Sequence, residues 1–207
     1  MDAGELNKRL AAHKPSILGS ETFSEFAVLL PLVEKEDGLH ILFEERAHTL
    51  KRQPGDICFP GGRVDHDDRD EKQTAIRETM EELGLNRRDI GDLYPLDYIV
   101  TPFGTKITPF AGYIHNLDDI QVNQAEVASI FTVPLAFFME HPPRIFQVNY
   151  KIELDEQFPL DLIIGGKNYD WQPRKMDEYF YRYENRVIWG LTARILTHFL
   201  EAFCQSK

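Results

Sequence analysis

The run Gly61–Leu85, GGRVDHDDRDEKQTAIRETMEELGL, holds the residues of this chain whose types and spacing could do chemistry. Its second half carries Arg77-Glu78 and Glu81-Glu82. On a helix of about 3.6 residues per turn, Glu78, Glu81 and Glu82 stand at i, i+3 and i+4 and share one face. Ile76, Met80 and Leu83 would form an apolar stripe on another. Three like charges on one face repel unless a cation sits among them. Grouped carboxylate oxygens, with no Cys or His beside them on the helix, suit Mg²⁺ or Mn²⁺ rather than zinc. The competing reading is a solvated acidic face, which charge runs usually are.

Such a helix needs elements to hold it. Pro54-Gly55 marks a turn, and Ile57-Cys58-Phe59 a short strand that delivers Pro60-Gly61-Gly62. A glycine pair there lets the backbone approach either the helix or a phosphate closely. Gly84 stands as a C-terminal stop. Upstream, Phe26 to Val33 reads as a buried strand that Pro31 places near an edge or bends. Glu34 to Gly38 has turn chemistry, and Leu39 to Glu44 is the partner strand. Downstream, Ile90 to Val100 and Lys106 to Ile114 read as strands about a Thr101–Gly104 turn. Asn123 to Ile130 is a loop or short helix whose Glu126 could fold back onto the site. A short helix, Leu135 to Met139, precedes strands at Ile145–Leu154, Leu160–Ile164 and Tyr179–Tyr183. Asn185 would cap a terminal helix through Phe203, with Ile188, Leu191, Ile195, Leu196 and Phe199 on its apolar side. Residues 1–20 read as a polar helix with Leu6, Leu10 and Ala11 as its apolar side. The sum predicts an α/β (α+β) sandwich with a mixed β-sheet, a single domain over 1–207 with a core of about 24–200.

The 207 residues are 43% hydrophobic and 28% charged, ordinary for a globular chain. A net charge of −11 argues against a nucleic-acid surface, which needs clustered Lys and Arg. It does not exclude a phosphorylated small molecule, since a bound divalent ion reverses the local field. The longest apolar runs, such as Phe26–Val33, are too short to span a membrane, and MDAGELNKRL does not read as a secretory leader. Cys58 and Cys204 suggest neither a disulfide framework nor a metal knuckle, which predicts a cytoplasmic setting.

Gly62, Arg77-Glu78, Glu81-Glu82 and Gly84-Leu85 resemble the Nudix box, in which a glycine, a glutamate, Arg-Glu and Glu-Glu recur at fixed spacing. Two departures stand in the first half: Asp68 replaces the glutamate, and eight residues rather than seven separate it from Arg77. Thr79 also occupies a usually aliphatic position. Those departures look like the coenzyme A pyrophosphatase branch. So do Leu42–Ala47 through Leu50, Pro54–Gly62, Thr101-Pro102-Phe103, Thr108-Pro109-Phe110, Val133-Pro134-Leu135 and Ile188–Arg194. The resemblance implies a Nudix-type α/β/α sandwich and metal-dependent hydrolysis of coenzyme A to 3′,5′-ADP and 4′-phosphopantetheine. Glu78 and Glu82 would ligate Mg²⁺ or Mn²⁺, with Glu81 as a further ligand or general base. Arg77 would orient the carboxylates, and Glu126 is a candidate base or extra ligand. Arg46, Arg63, Gly61 and Gly62 are candidate substrate contacts, Arg46 foremost among them, with Lys51 and Arg52 also near the box. Cys58 and Trp189 read as packing residues.

Two other functions fit the same residues. One is a Nudix pyrophosphatase for another nucleoside diphosphate derivative, such as NADH or ADP-ribose; the stretch upstream of the box favours coenzyme A. The other is a non-catalytic Nudix-fold binding module, from which loss of the metal ligands would be expected, whereas Glu78, Glu81 and Glu82 are all present. A small-molecule substrate is thus the expected partner, with a homodimer left open.

Overall fold

Ser24–Lys35 (β1) alternates its side chains between two apolar cores: Ala27, Leu29 and Val33 enter one, Leu30 and Leu32 the other. That period of two marks a strand covered on both faces. The structure is a computed structural model and describes residues 1–204. Helix α1 (Ala3–Ala12) precedes β1 and buries no residue. After β1 come β2 (Gly38–Arg46), β3 (Ile57–Cys58), β4 (Gly61–Arg63), helix α2 (Glu71–Leu83), β5 (Ile90–Pro95), β6 (Ile99–Thr101), β7 (Thr105–Ile114) and β8 (Val127–Pro134). Helix α3 (Leu135–Glu140), β9 (Arg144–Tyr150), β10 (Arg174–Tyr183), β11 (Arg186–Trp189) and helix α4 (Gly190–Phe199) complete the chain, a wider π-type turn extending α4 over Leu200–Cys204.

The large sheet runs β3-β2-β1-β7-β5, with β8 on β2, β4 on β1 and β6 on β7. It is mixed, because β1 pairs antiparallel with β2 but parallel with β7. Helix α2 covers one face through Ala75 and Leu83, against Ala27, Leu29 and Leu42. Helices α3 and α4 and the hairpin β10-β11 cover the other through Phe138, Leu196, Ile188 and Tyr181, against Leu30, Ile41 and Phe43. This is the expected α/β/α sandwich. Phe43 is wholly buried and stacks on Phe59 and Phe131 at 5.1 and 5.5 Å between ring centroids. Each such side chain contributes about 1.5–3 kcal/mol by leaving water.

Several elements differ from the expectation. Pro31 lies in a central strand, not near an edge. On one flank β1 pairs with β4 through Val28 and with β2 only from Leu32, so the missing N–H of Pro31 falls in the gap between two partners. Val127–Ile130 belongs to β8, and Leu160–Leu162 is a 3₁₀ turn rather than a strand. Ile188 and Asn185 are not part of the terminal helix: Asn185 lies in the turn between β10 and β11, with Glu184 at φ 52°, and Ile188 is in β11. Of the small sheet β11-β10-β9, strands β9 and β10 match the expected strands at Ile145–Leu154 and Tyr179–Tyr183 in part, while β11 was hidden behind what reads as one helix.

Candidate active site

Helix α2 begins where Asp70 accepts a hydrogen bond from the Gln73 N–H at 2.8 Å, an N-cap that fixes the first turn. It ends at Gly84, left-handed at φ 66°, where a Cβ would lie 2.2 Å from the Gln121 carbonyl oxygen. Of the expected stripe Ile76, Met80 and Leu83, only Leu83 is fully buried, in company with Thr74, Ala75, Thr79 and Glu82; Ile76 and Met80 pack against the core only partly covered. The helix is rotated so that a carboxylate, Glu82, faces inward. Thr79 tolerates full burial at the usually aliphatic position by donating its hydroxyl to the Ala75 carbonyl at 2.7 Å.

Glu82 is held by the backbone: the Gly61 N–H donates to its Oε2 at 2.8 Å. Gly61 adopts φ 155°, and a Cβ there would stand 2.4 Å from the Ala27 carbonyl oxygen. At Gly62 a Cβ would meet the Glu78 carboxyl at 2.3 Å. Of the two partners open to the glycine pair in the sequence, helix or phosphate, β4 puts it against the helix. The three glutamates diverge in exposure. Glu82 is buried, the Glu78 side chain is 16% exposed, and the Glu81 side chain 55% exposed.

Arg77 binds this half of the box together. Its guanidinium meets Asp68 through Nε at 3.1 Å and Nη2 at 2.8 Å, donates from Nη1 to Glu78 at 2.8 Å, and reaches Glu81 at 3.5 Å and the Arg63 carbonyl at 3.2 Å. Asp68 also accepts from the Thr74 hydroxyl at 2.8 Å and the Asp65 N–H at 3.1 Å. The shorter acid with one extra residue thus serves as an anchor for Arg77. These hydrogen bonds, Arg77 first, hold the Asp68 carboxyl well below its ordinary value of 3.8. The stability this adds is present above that value and is lost as pH falls below it. Asp68→Asn is expected to lower unfolding free energy at pH 7 by about 1–2 kcal/mol, the low end for hydrogen bonds to a charged group because Arg77 is partly exposed. A urea melt checks this; an unchanged midpoint would mean Arg77 has its anchorage elsewhere.

Glu126 lies on an exposed stretch that the backbone nonetheless brings to the site. The Gln121 and Asn123 N–H groups bond the Leu83 and Glu82 carbonyls at 3.0 and 2.9 Å, closing the end of α2, and the Ala47 N–H bonds the Glu126 carbonyl at 2.8 Å. Burial, then the charge of Glu44, then those of Glu78 and Glu126 among others, raise the Glu82 carboxyl above its ordinary range. Burial first, with Glu81 and Glu126 adding, also raises Glu78.

Glu44 is the residue that sequence reasoning passed over. It is 1% exposed, on β2. Its signal was present: in LHILFE an acid stands two residues after Leu42, hence on the same inward face. The Cys58 thiol donates to its Oε1 at 3.2 Å, and burial pushes that thiol's pKa up, so Cys58 acts as a packing and hydrogen-bonding group. Arg46 donates to the Arg52 carbonyl at 3.4 Å, while Lys51, Arg52 and Arg63 are exposed. Trp189 stacks on Phe180 at 5.9 Å.

Among the described residues, the one trio of His and acidic donors whose atoms all lie within 4.8 Å of one another is Asp65, His66 and Asp67. All three are exposed, and His66 already pairs with both aspartates at 2.6 and 3.1 Å. The carboxylates of Glu44, Glu78 and Glu82 are spread more widely, as like charges are. Their chemistry still fits a hard divalent ion: oxygen donors only, two of them buried, and Arg77 already committed to Asp68 and Glu78.

A NUDIX domain matches residues 24–146. Over 124 residues, 60% of this chain, the sequence is 37% identical to the peroxisomal coenzyme A diphosphatase NUDT7 of Mus musculus, and the match spans about half (52%) of that protein's length. It is 30% identical over 179 residues to the Nudix hydrolase NudL of Yersinia pestis, covering 86% of this chain and 79% of that one. A MutT/nudix family protein from Enterococcus faecalis superposes on 99% of this chain and 71% of its own with a TM-score of 0.50 at 14% identity, a likeness of fold.

Proposed function

Since the chain belongs to the NUDIX family and is a hydrolase of that family, we propose that it cleaves the pyrophosphate of coenzyme A or its derivatives. The products would be 3′,5′-ADP and 4′-phosphopantetheine or its acyl form. The observation that carries the reaction type is the Gly61 N–H on Glu82 beside the Arg77–Asp68–Glu78 chain of ion pairs, which holds two carboxylates of α2 in place before any ligand arrives. Support for coenzyme A comes from the Leu42–Gly62 stretch and from the likeness to the mouse diphosphatase.

Nudix enzymes generally use divalent metal ions, and Glu78 and Glu82 would hold Mg²⁺ or Mn²⁺ here, with Glu81 at the exposed edge. Such an ion supplies charge neutralisation for the crowded pyrophosphate and makes water a better nucleophile at neutral pH. Arg77 holds the Glu78 carboxylate in place through Nη1. Glu126 or Glu81, both solvent-facing, takes the proton of the attacking water as a P–O bond of the pyrophosphate breaks. Arg46, at the edge of β2, and Arg63, on β4, offer positive charge to substrate phosphates. No helix among the described residues is long and apolar enough to cross a membrane. Cys58 and Cys204 are both free, which supports a reducing compartment; we read it as the cytoplasm.

A substrate panel with Mg²⁺ or Mn²⁺ tests the reading. Coenzyme A or a thioester is expected to be turned over at least about tenfold faster than ADP-ribose or NADH, the span of about 1.4 kcal/mol in discrimination. Faster turnover of ADP-ribose would overturn the choice of substrate while leaving the hydrolase intact.

A further inference from the structure

A further carboxylate stands behind Glu78 and Glu82 of α2. Glu44 sits two residues beyond Leu42 on β2, and Leu42 packs in the core that contains Ala75 and Leu83 of α2. The alternation of the strand therefore turns Glu44 toward the helix. There its charge acts on Glu82 ahead of any other charged group, and Glu78 and Glu126 act on Glu44 in turn. The Cys58 thiol fixes one oxygen, Oε1, from the opposite strand, where Cys58 pairs with Glu44 in the β2–β3 register. The other oxygen, Oε2, is fully buried and finds no hydrogen-bond partner among the described residues. A buried carboxylate oxygen without a donor is costly, and a protein that only needed to fill this space could use an apolar side chain. The nearby bases do not discharge it: Arg77 is taken up by Asp68 and Glu78, and Arg46 leaves Oε2 without a bond.

We propose that Glu44 is a cation-holding carboxylate, its free Oε2 joining Glu82 and Glu78 around a divalent metal ion and its Oε1 kept in register by the Cys58 thiol. The assignment deepens the metal-dependent reading above and rests on it. It extends the donor set beyond the box helix to the central sheet, so that strand and helix are tied by one ion. Glu44 then positions the ion; proton transfer remains with the solvent-facing acids.

The test is direct Mn²⁺ binding, read by electron paramagnetic resonance of free Mn²⁺ without substrate, on the native chain and on Glu44→Gln. Gln keeps the size and lets the thiol hydrogen bond survive, while its amide can face Glu82, so the fold should be retained; circular dichroism and a thermal melt check it. The expected result is a Kd for Mn²⁺ weakened by at least about tenfold, or one equivalent of Mn²⁺ lost, since even residues that only support a metal's direct ligands change affinity by about 10–100-fold. Glu44→Asp, which keeps the charge on a shorter stem, should recover part of the affinity. Equal Mn²⁺ affinity in native and Glu44→Gln proteins would overturn the role of Glu44 alone. No Mn²⁺ binding by the native chain would overturn the metal reading with it. Should Glu44→Gln melt below room temperature, Glu44→Leu replaces it, with the same expected loss and the same overturning result.

Discussion

Glu82→Gln is expected to reduce turnover of the preferred substrate by about 10²–10³-fold with the fold intact. A divalent ion contributes several kcal/mol of transition-state stabilisation, and each 1.36 kcal/mol is a factor of about ten. Gln removes the ligand charge but leaves an amide oxygen where the Gly61 N–H at 2.8 Å can still donate, so β4 should stay against α2. Glu82 is also the most deeply buried of the acids on this helix. Removing its charge takes away repulsion toward Glu44, Glu78 and Glu126, and the metal-free variant should melt no lower than the native protein. The combination distinguishes a ligand from a structural residue. Loss of activity with unchanged or raised Tm supports metal holding, whereas a native rate in Glu82→Gln would sink it. A fall in both would mean that the Gly61–Glu82 contact is chiefly a fold element.

How much of this was legible beforehand depended on the range of the interactions involved. The stop at Gly84, the β1–β2 hairpin and the α/β sandwich follow from local chemistry and alternation, and the chain expresses them directly. The rotation of α2 does not follow from periodicity alone. Ile76 and Met80 outrank Thr74 and Thr79 in hydropathy, yet tertiary packing buries the threonines, one of which satisfies its own hydroxyl within the helix. Likewise Ile188 fits a helical repeat with Leu191 and Ile195, but the Glu184-Asn185 turn pairs Ile188 with Tyr181 in a hairpin that no helical count would reveal. Asp68 was visible as a departure from a pattern; its purpose, two hydrogen bonds to Arg77, needed coordinates. Glu44 was hidden by the opposite problem, an acid that could pass for the polar end of a strand. Its clue was parity with Leu42. Of the three glutamates whose spacing implied one shared face, Glu78 and Glu82 act on each other, while Glu81 is 55% exposed and touches Arg77 only at 3.5 Å.

The metal-free protein is expected to lose thermal stability as pH rises, and a divalent ion should restore it. Glu44, Glu78 and Glu82 all have carboxyls raised above the ordinary 4.5, burial being the first cause in each case. A raised carboxyl means that the folded state holds its proton more tightly than the unfolded chain does. Stability from these groups is therefore complete below the ordinary value and lost as pH climbs through the raised ones. Asp68 is shifted the other way and acts only in acid, outside this window. Each unit of raised pKa is worth about 1.4 kcal/mol, and a chain of this size loses roughly 2–4 °C per kcal/mol. A fall in Tm on the order of 5 °C or more between about pH 5.5 and pH 8.5 should follow without metal. Saturating Mg²⁺ or Mn²⁺ should reverse it at the alkaline end and do little at the acid end, where protons compete for the same oxygens. The decisive comparison is the slope of Tm against pH in the native and Glu82→Gln proteins, which share all seven histidines and every other acid. The slope should flatten in Glu82→Gln. Parallel slopes in the native and Glu82→Gln proteins would mean that the buried acids are not the source, and that what separates them from water is weaker than their burial implies.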